Sequence, residues 1–207
     1  LKKKVADSKA VCIKKANALS ELRKKAAKET EKEMKARLMP LGMPNVRFIV
    51  DIKDKELSNN GKDSVVFLFS ANKSTDPQPV SEVASGGEIA RVMLSLKALI
   101  SGVAGLPTII FDEIDTGVSG AIASKMAQVM KEMADAGQQV ISITHLPQIA
   151  AEGVAHYKVE KSETSKGTTS QMRRLTEEQR VREIAGMLSG DNITEAALQN
   201  ARELLNC

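Results

Sequence analysis

Two apolar strand patterns, each ending in a reactive side chain, constrain the fold of this chain most strongly. Residues 108–111 run into Asp112 and Glu113, and residues 139–144 run into His145. A helical pattern lies between them, and this strand–helix–strand order predicts two parallel strands. Because the carboxyl ends of parallel strands meet at one edge of the sheet, the carboxylates and the imidazole are expected to be neighbours.

Adjacent carboxylates at the end of a buried strand are suited to hold Mg²⁺ and to activate water. Nucleotide hydrolases place such residues there, which favours a functional role for Asp112 and Glu113 over a strand that simply ends in a polar turn. A lone histidine is more often structural than catalytic, but His145 follows the next strand of the pattern. This position favours a functional role for His145. His156, in a later strand pattern, has no such support.

A third motif, Ser85-Gly86-Gly87-Glu88, opens a helical pattern with an apolar stripe. Ser followed three residues later by Glu is a capping box, whereas the free N–H groups of a helix N-terminus favour an anion. Two glycines are costly in a cap, because each loses about 1 kcal/mol of helix propensity against Ala. These residues alone leave the choice between a cap and an anion site open. Ser101-Gly102 is expected to end the helix.

The sequence contains no loop of the kind that cradles nucleotide phosphates. Such a loop requires Gly, four residues, Gly-Lys and then Ser or Thr. At Gly61-Lys62 the first glycine is replaced by Glu56, and Asp63 stands where Ser or Thr is needed. These residues instead predict a hairpin turn between strands at 46–52 and 64–69.

The first 39 residues contain no Gly or Pro and consist mostly of helix-forming residues, which predicts one long helix ended by Pro40. Val5, Cys12, Leu19 and Ala26 repeat every seven residues, but they form only a weak coiled-coil seam. A helix this long and polar needs a packing partner. The partner is expected to lie outside this chain.

Basic charge is concentrated in this helix. Residues 1–38 hold 13 Lys and Arg against 5 Asp and Glu, a net charge of +8, and the other 169 residues hold 17 against 21. Such a segment could bind DNA phosphates through a sequence-independent electrostatic attraction. The charge pattern alone slightly favours a solvated helix face that keeps the protein soluble, and it leaves both interpretations open.

Composition predicts a cytoplasmic protein. No apolar run approaches the roughly 20 residues that a membrane span needs, and no apolar signal core follows the basic N-terminus. Cys12 and Cys207 are far apart and lack the spacing of metal ligands, which favours a reduced compartment. With only 2% aromatic residues, the core is expected to be aliphatic.

The C-terminal part has patterns that we interpret as structural. Strands at 154–161 and 168–175 flank the polar turn 162–167, and a capping box at residues 176–179 opens a helix. Thr194 is expected to start a last helix, which ends at Leu205.

Taken in order, these motifs resemble those of ABC-type ATPase heads. The signature motif is matched by Ser85-Gly86-Gly87-Glu88, Walker B by Asp112-Glu113, the D-loop by residues 115–120, and the switch histidine by His145. A more detailed similarity, to the sequences of bacterial SMC-like DNA-repair ATPases, is found in residues 83–88, 111–120, 144–148 and 182–190. The resemblance covers essentially the whole chain.

This resemblance implies an α/β fold: the C-terminal lobe of an ABC-type, P-loop NTPase head with a mainly parallel sheet. Residues 1–39 would be the returning helix of an antiparallel coiled-coil arm, and residues 40–207 would be the lobe. Walker A and the Q-loop would belong to an N-terminal lobe, which would explain both the missing phosphate loop and the missing partner helix. The complete protein is then expected to be an ATPase of DNA double-strand-break repair and recombination, and this chain alone to be inactive.

The resemblance also implies a role for each motif. Asp112 would hold Mg²⁺ through water, Glu113 would polarise the attacking water, and His145 would contact the γ-phosphate of ATP. The dimer-forming residues would bind ATP held on another head or line the interface between heads; they are Ser85, Gly86, Gly87 and Glu88, together with Asp115 to Ser119 of the D-loop.

The implied partners are DNA, a second copy joined through sandwiched ATP, and the N-terminal lobe, in a cytoplasmic, nucleoid-associated protein with no membrane contact. Two alternatives stay open. The chain could belong to another SMC-like protein that tethers DNA, or it could be a non-catalytic binding module that docks through the signature helix.

Overall fold

The computed structural model describes residues 1–83, 85–164, 167–190 and 192–206. Its contacts divide the chain into two compact units, residues 1–99 and 100–207. The elements, in chain order, are α1 (Lys2–Leu38), β1 (Arg47–Ser58), β2 (Gly61–Ser70), β3 (Gln78–Pro79), a 3₁₀ turn (Val80–Glu82), α2 (Gly86–Ala104), β4 (Thr108–Asp112), α3 (Gly120–Asp135), β5 (Gln139–Ile143), α4 (Pro147–Glu152), β6 (Tyr157–Thr164), β7 (Gly167–Arg174), α5 (Glu177–Ser189) and α6 (Glu195–Leu205). The predicted α/β class with a long N-terminal helix is confirmed.

Helix α1 is unbroken over 37 residues, as its composition predicts. Residues 2–15 are exposed on every side, and one face becomes buried only from Ala16 onward. The predicted seam of Val5, Cys12, Leu19 and Ala26 lies on the exposed side. The chain instead buries a face of mostly small or flexible residues against the β1–β2 hairpin, namely Ala16, Ser20, Ala27, Met34 and Leu38.

A buried polar cluster fixes α1 to this hairpin. Asp63 on β2, only 4% exposed, accepts a hydrogen bond from Ser20 Oγ at 2.7 Å and pairs with Arg23 Nη1 at 2.9 Å. The other guanidinium nitrogen, Nη2, donates to the Asn60 carbonyl at 3.0 Å. The Ser20 and Arg23 hydrogen bonds hold the pKa of Asp63 below its ordinary value.

The hairpin is antiparallel and longer than its sequence pattern predicts. Its strands extend to Ser58 and Gly61, which face each other across Asn59 and Asn60. Gly61 supplies the positive φ (100°) that the turn requires. Side chains from α1, the connection that follows it, the hairpin and α2 form the first core, which consists of Met34, Leu38, Met43, Val46, Phe48, Phe69 and Val92.

The prediction that Ser101-Gly102 ends the second helix is wrong. Helix α2 continues through Gly102 to Ala104, and Gly105 follows it with φ 60°. A helix-interior glycine costs only about 1 kcal/mol, whereas a residue with positive φ after the last turn is a common helix stop.

In the second unit, β4 and β5 pair in parallel, as predicted, and β6 pairs with β7 antiparallel. The β1–β2–β3 sheet of the first unit is antiparallel. The buried-strand pattern of residues 108–111 is confirmed on one face only. Ile109 and Phe111 are buried, but the opposite face of the sheet is open to solvent. This open face exposes Ile110, Ile141 and Ile143 to 55%, 41% and 52%.

Helix α3 presents its buried stripe to the unit's core, and it contacts β5 and α4. The predicted C-terminal capping box is confirmed, because Thr176 Oγ1 accepts from the Gln179 N–H while the Gln179 side chain accepts from the Thr176 N–H. Thr194 caps α6 in the predicted way. A second core joins α4, α5 and α6 through Ala151, Ile184, Ala185, Ala197 and Ala201.

Some predicted features fall outside the described residues, namely Ala84 of the third motif, Ser165 and Lys166 of the polar turn, and Cys207. Among the residues that are described, no helix has both the length and the apolar character needed to cross a membrane.

Candidate functional site

The parallel register of β4 and β5 brings the predicted carboxylates and histidine to one sheet edge. Asp112 lies opposite Ile143, two residues before His145. The Glu113 N–H donates to the Ile143 carbonyl at 3.1 Å, which extends the pairing beyond the last strand residue. Asp112 and Glu113 are both exposed at this edge. The local geometry therefore makes both carboxylates available to a ligand.

Glu113 has an unusual backbone conformation. Its φ of 46° lies in the left-handed region, which costs a residue with a side chain on the order of 1–3 kcal/mol. The Thr116 N–H and Thr116 Oγ1 both donate to the Glu113 carbonyl, at 3.2 and 2.9 Å, and so hold this turn. Such conformations are concentrated at functional sites, where surrounding structure maintains them.

Asp115 is buried, although the sequence suggested a position at a dimer interface. Its side chain is 0% exposed, and its Oδ2 accepts a short hydrogen bond from Thr144 Oγ1. Within the described part of the chain, its Oδ1 has no hydrogen-bond partner. The carboxylate of Asp115 is therefore directed at the β5 end rather than at solvent.

His145 is the most accessible of these groups, with a side chain 67% exposed. Its Nδ1 lies 3.6 Å from Asp115 Oδ1, longer than a hydrogen bond. The residue before it, Thr144, also accepts from the Leu146 N–H at 3.0 Å. Sequence reasoning gave the Thr144 hydroxyl no role; the signal that could have found it is a Thr three residues before Pro147, where hydroxyls often organise the chain ahead of a helix.

Ser85 to Glu88 belong to the first unit and open α2. The helix begins at Gly86, and the Ile89 N–H donates to the Ser85 carbonyl at 3.0 Å. Ser85 and Gly86 are exposed, while Gly87 and Glu88 are partly buried. Ser85 and Glu88 line a cavity of about 250 Å³, together with Phe69, Ser70, Ala71, Asn72, Thr75, Asp76, Gln78 and Val83.

Gly86 is not explained by the packing of this chain. A Cβ built there meets no described atom within 4 Å, and its φ lies outside the left-handed range. A glycine that neither strain nor crowding requires suggests that something outside the chain approaches the backbone. This observation favours the ligand interpretation of the motif over a simple cap.

Ser119, the other predicted D-loop residue, is exposed and precedes α3 as its N-cap in an extended conformation. Its side chain makes no capping hydrogen bond. Gly117 and Gly120 on either side have φ of 73° and 55°. These two glycines permit the tight path between Asp115 and the start of α3.

The carboxylates fit Mg²⁺ as proteins commonly bind it. Among the described residues, no group of three or more His, Cys, Asp or Glu side chains could hold a metal ion by itself. Mg²⁺, however, is usually held by one or two carboxylates, with waters and substrate phosphates completing its shell. Asp112, exposed at the strand end, has a carboxylate of the kind that such a site requires.

No protein-family profile matches the chain. Solved structures nevertheless define its fold. A Smc head domain with coiled coil from Pyrococcus yayanosii aligns with 88% of this chain and 34% of its own, at a TM-score of 0.62 and 20% identity. A chain from a study of ATP-driven dimerisation and DNA-stimulated activation of SMC ATPases aligns over 83% of this chain and 99% of its own, at a TM-score of 0.55 and 18% identity. The chain has the fold of SMC ATPase head domains.

Curated proteins with the same name resemble most of this chain. DNA repair protein RecN of Deinococcus radiodurans is 42% identical over 93% of this chain, that of Halalkalibacterium halodurans 39% over 91%, and that of Haemophilus influenzae 36% over 92%. Over more than nine-tenths of its own length, the chain is similar to a part of these DNA repair proteins RecN. It spans about a third of the length of these relatives, 34% in each case.

Proposed function

We propose that this chain forms part of the ATPase head of an SMC-like DNA-repair protein, and that ATP bound between two heads joins them. The observation that carries the proposal is the parallel pairing of β4 with β5. It gathers Asp112, Glu113 and His145 at the carboxyl edge of one sheet, which is where open α/β sheets bind ligands. The names of the RecN relatives support the repair role.

In this proposal each residue acts through its own chemistry. Asp112 holds Mg²⁺, which when bound neutralises phosphate charge. Glu113, presented by its left-handed turn, orients and polarises the attacking water. His145 follows β5, the strand that pairs with β4, and its exposed side chain contacts the terminal phosphate. The start of α2, from Ser85 to Glu88, offers its free N–H groups to ATP held by another head.

The head needs a second lobe to be complete. The open β4–β5 face exposes three isoleucines, and an apolar sheet face of this kind is normally covered. The sequence also lacks a phosphate loop, and the chain spans only about a third of its relatives' length. We infer that an N-terminal lobe covers the sheet and supplies the main phosphate cradle. In this proposal residues 1–39 form the arm helix, and residues 40–207 form the C-terminal lobe of the head.

DNA is the proposed macromolecular partner, in the cytoplasm at the nucleoid. Helix α1 supports this proposal, because residues 2–15 are exposed all round and include six lysines against one aspartate. A basic helix projecting in this way suits sequence-independent attraction to phosphates.

The decisive experiment uses Glu113→Gln in the complete protein. If Glu113 activates water, the variant binds ATP but hydrolyses it slowly, so ATP-dependent dimers accumulate in size-exclusion chromatography. Glu132→Gln, an exposed substitution in α3, serves as the matched control and dimerises like the wild type. Failure of Glu113→Gln to accumulate dimers would overturn the role of Glu113. Appreciable ATP turnover by this chain alone would overturn the division of the site between two lobes.

A further inference from the structure

The Thr144 hydroxyl donates its hydrogen bond to Asp115, and the Asp115 carboxylate accepts it. A hydroxyl has one proton to donate and lone pairs that accept. Thr144 Oγ1 accepts from the Leu146 N–H at 3.0 Å and donates to Asp115 Oδ2. Asp115 is therefore an acceptor at Oδ2, and its side chain is held from the β5 end.

The second oxygen of Asp115 is left for His145. Oδ1 is buried and, among described atoms, has no hydrogen-bond partner. A buried carboxylate oxygen without a donor is costly, on the order of 1–3 kcal/mol or more for a charged group. His145 Nδ1 lies 3.6 Å away, and its ring is 67% exposed and thus free to turn. If the ring turns so that this distance shortens, Nδ1–H can donate to Oδ1.

In this pair Asp115 is held in place, and it determines which nitrogen of His145 carries the proton. The loop around Asp115 is fixed by backbone hydrogen bonds, because the Val118 N–H donates to the Asp115 carbonyl at 3.1 Å and the Thr116 N–H donates to Glu113. The carboxylate is buried and accepts the Thr144 hydrogen bond, whereas the imidazole is exposed. Which ring nitrogen carries the proton is set by the hydrogen bond that the other nitrogen makes.

We propose that Asp115 is a positioning residue for His145, whose Nδ1–H it accepts, so that the neutral ring presents an unprotonated Nε2 outward. The protonated ring would present Nε2–H to a phosphate oxygen in the same orientation. The part of this inference that concerns the phosphate rests on the proposed function. The tautomer itself does not, because it follows from the buried carboxylate and the Thr144 hydroxyl.

The test is ¹⁵N NMR of the chain labelled at histidine, at alkaline pH where histidine rings are neutral. The sequence has only two histidines, and His145→Gln assigns the spectrum by removing one ring. For His145 we expect a protonated Nδ1 and an unprotonated Nε2. A protonated Nε2 in the wild-type protein overturns the proposal, whatever the variants do.

Asp115→Asn is expected to change the tautomer of His145, an effect that a substitution at a merely structural residue would not have. The Thr144 proton needs an acceptor, so it selects the Asn oxygen and turns the Asn NH₂ toward His145. The ring is then expected to invert to the Nε2–H tautomer. Glu113→Gln, which changes a nearby carboxylate but not Asp115, is the control and should leave the tautomer unchanged. The same tautomer in wild type and Asp115→Asn would overturn the proposal.

In the complete protein, Asp115→Asn should lower kcat for ATP, because the Asn NH₂ turned toward Nδ1 cannot accept Nδ1–H from the protonated ring that would contact phosphate. We expect a loss of about 10–100-fold, as when the carboxylate partner of a metal-bound histidine is removed, with a smaller change in KM. If the tautomer inverts but the complete wild-type protein hydrolyses no ATP, the proposed function fails while the positioning of His145 stands. If ATP is hydrolysed but wild-type His145 carries its proton on Nε2, only the positioning role fails.

Discussion

Asp112 lies directly opposite Ile143 in the parallel register of β4 and β5, and the residue after Asp112 donates its N–H to the Ile143 carbonyl. This pairing places both carboxylates beside the end of β5, two residues before His145. Beyond it the chain turns sharply, because Glu113 adopts a left-handed conformation. The chemistry of the candidate site therefore depends on a short strand pairing and one strained residue.

The strain at Glu113 predicts a trade-off between stability and activity. Glycine adopts φ 46° without a Cβ penalty, so Glu113→Gly should raise the free energy of unfolding by about 1 kcal/mol. In the complete protein, the same substitution should abolish ATP hydrolysis. Urea denaturation of the chain measures the first effect.

Glu132→Gly is the matched control for stability. Glu132 is exposed in the last turn of α3, where glycine should lower the unfolding free energy by up to about 1 kcal/mol. Equal destabilisation by the two glycine substitutions would contradict the interpretation of Glu113 as strained.

Gly86 predicts an effect on function without a loss of stability. Space around it is open within the described structure, so Gly86→Ala should fold normally and gain up to about 1 kcal/mol of helix propensity. If ATP on another head approaches this backbone, the added methyl group should weaken ATP-dependent dimers of the complete protein. Light scattering with a slowly hydrolysed ATP analogue measures the dimer.

Gly102→Ala provides the comparison, because Gly102 lies in the same helix and a Cβ there also meets no described atom within 4 Å. It should stabilise the helix similarly and leave dimerisation unchanged. Equal dimerisation by both variants would remove the argument for a close approach at Gly86.

Periodicity and caps predicted much of this fold, and the failures have physical causes. The parallel strands follow from apolar runs separated by a helical stripe, and the start of α5 follows from Thr176 and Gln179. The buried face of α1 was missed because it is built partly from Ala16 and Ser20, small residues without a strong hydrophobic signal. Its anchor to the hairpin depends on Asp63, 40 residues after Arg23, and no local pattern reports such a contact.

The candidate site was predictable in composition but not in conformation. Asp112, Glu113 and His145 stand where strand patterns end, so their proximity could be expected. Nothing in the sequence marks Glu113 as left-handed, since Gly, Asn and Asp are the usual residues there. The burial of Asp115 was equally hidden, because a charged residue in a loop is normally exposed.

Asp63 predicts a loss of stability in acid. Its pKa is lowered in the folded state by the Ser20 and Arg23 hydrogen bonds. The stabilisation is therefore fully present above the ordinary value of 3.8 and is lost as the pH falls through the lower, folded-state pKa. Asp63→Asn should be less stable than wild type at pH 7, and the difference should shrink toward pH 3.

Asp54→Asn, on the same hairpin, is the comparison for Asp63. Asp54 is 78% exposed and only 3.6 Å from Lys62 Nζ, and exposed ion pairs contribute little. Denaturant titrations at pH 7 and pH 3 measure the free energy of unfolding. For Asp54→Asn this free energy should be nearly that of the wild type at pH 7. A difference between Asp63→Asn and wild type that does not change with pH would contradict the role of the charged carboxylate.

His156 predicts a second pH dependence, at higher pH. Burial lowers its pKa below the ordinary 6.5, against a smaller opposing effect of Glu183, and its Nδ1 is buried without a described partner. The unfolded chain therefore binds this proton more readily. Stability should fall as the pH drops through 6.5 toward the folded-state pKa. The decrease should be smaller in His156→Gln, and an unchanged slope of unfolding free energy with pH in that variant would contradict the assignment.

The exposed start of α1 predicts where DNA would bind. Lys3 and Lys9 lie in the part of the helix that is exposed on every side, so Lys3→Glu/Lys9→Glu should weaken DNA binding without unfolding the chain. For every lysine that no longer neutralises a phosphate, the slope of log K against log salt concentration should become shallower by about 0.9. Lys73→Glu/Lys125→Glu makes the same change in net charge at two exposed lysines outside α1. Fluorescence anisotropy with duplex DNA at several salt concentrations separates the two pairs, and an equal effect of both would show that net charge rather than α1 attracts the DNA.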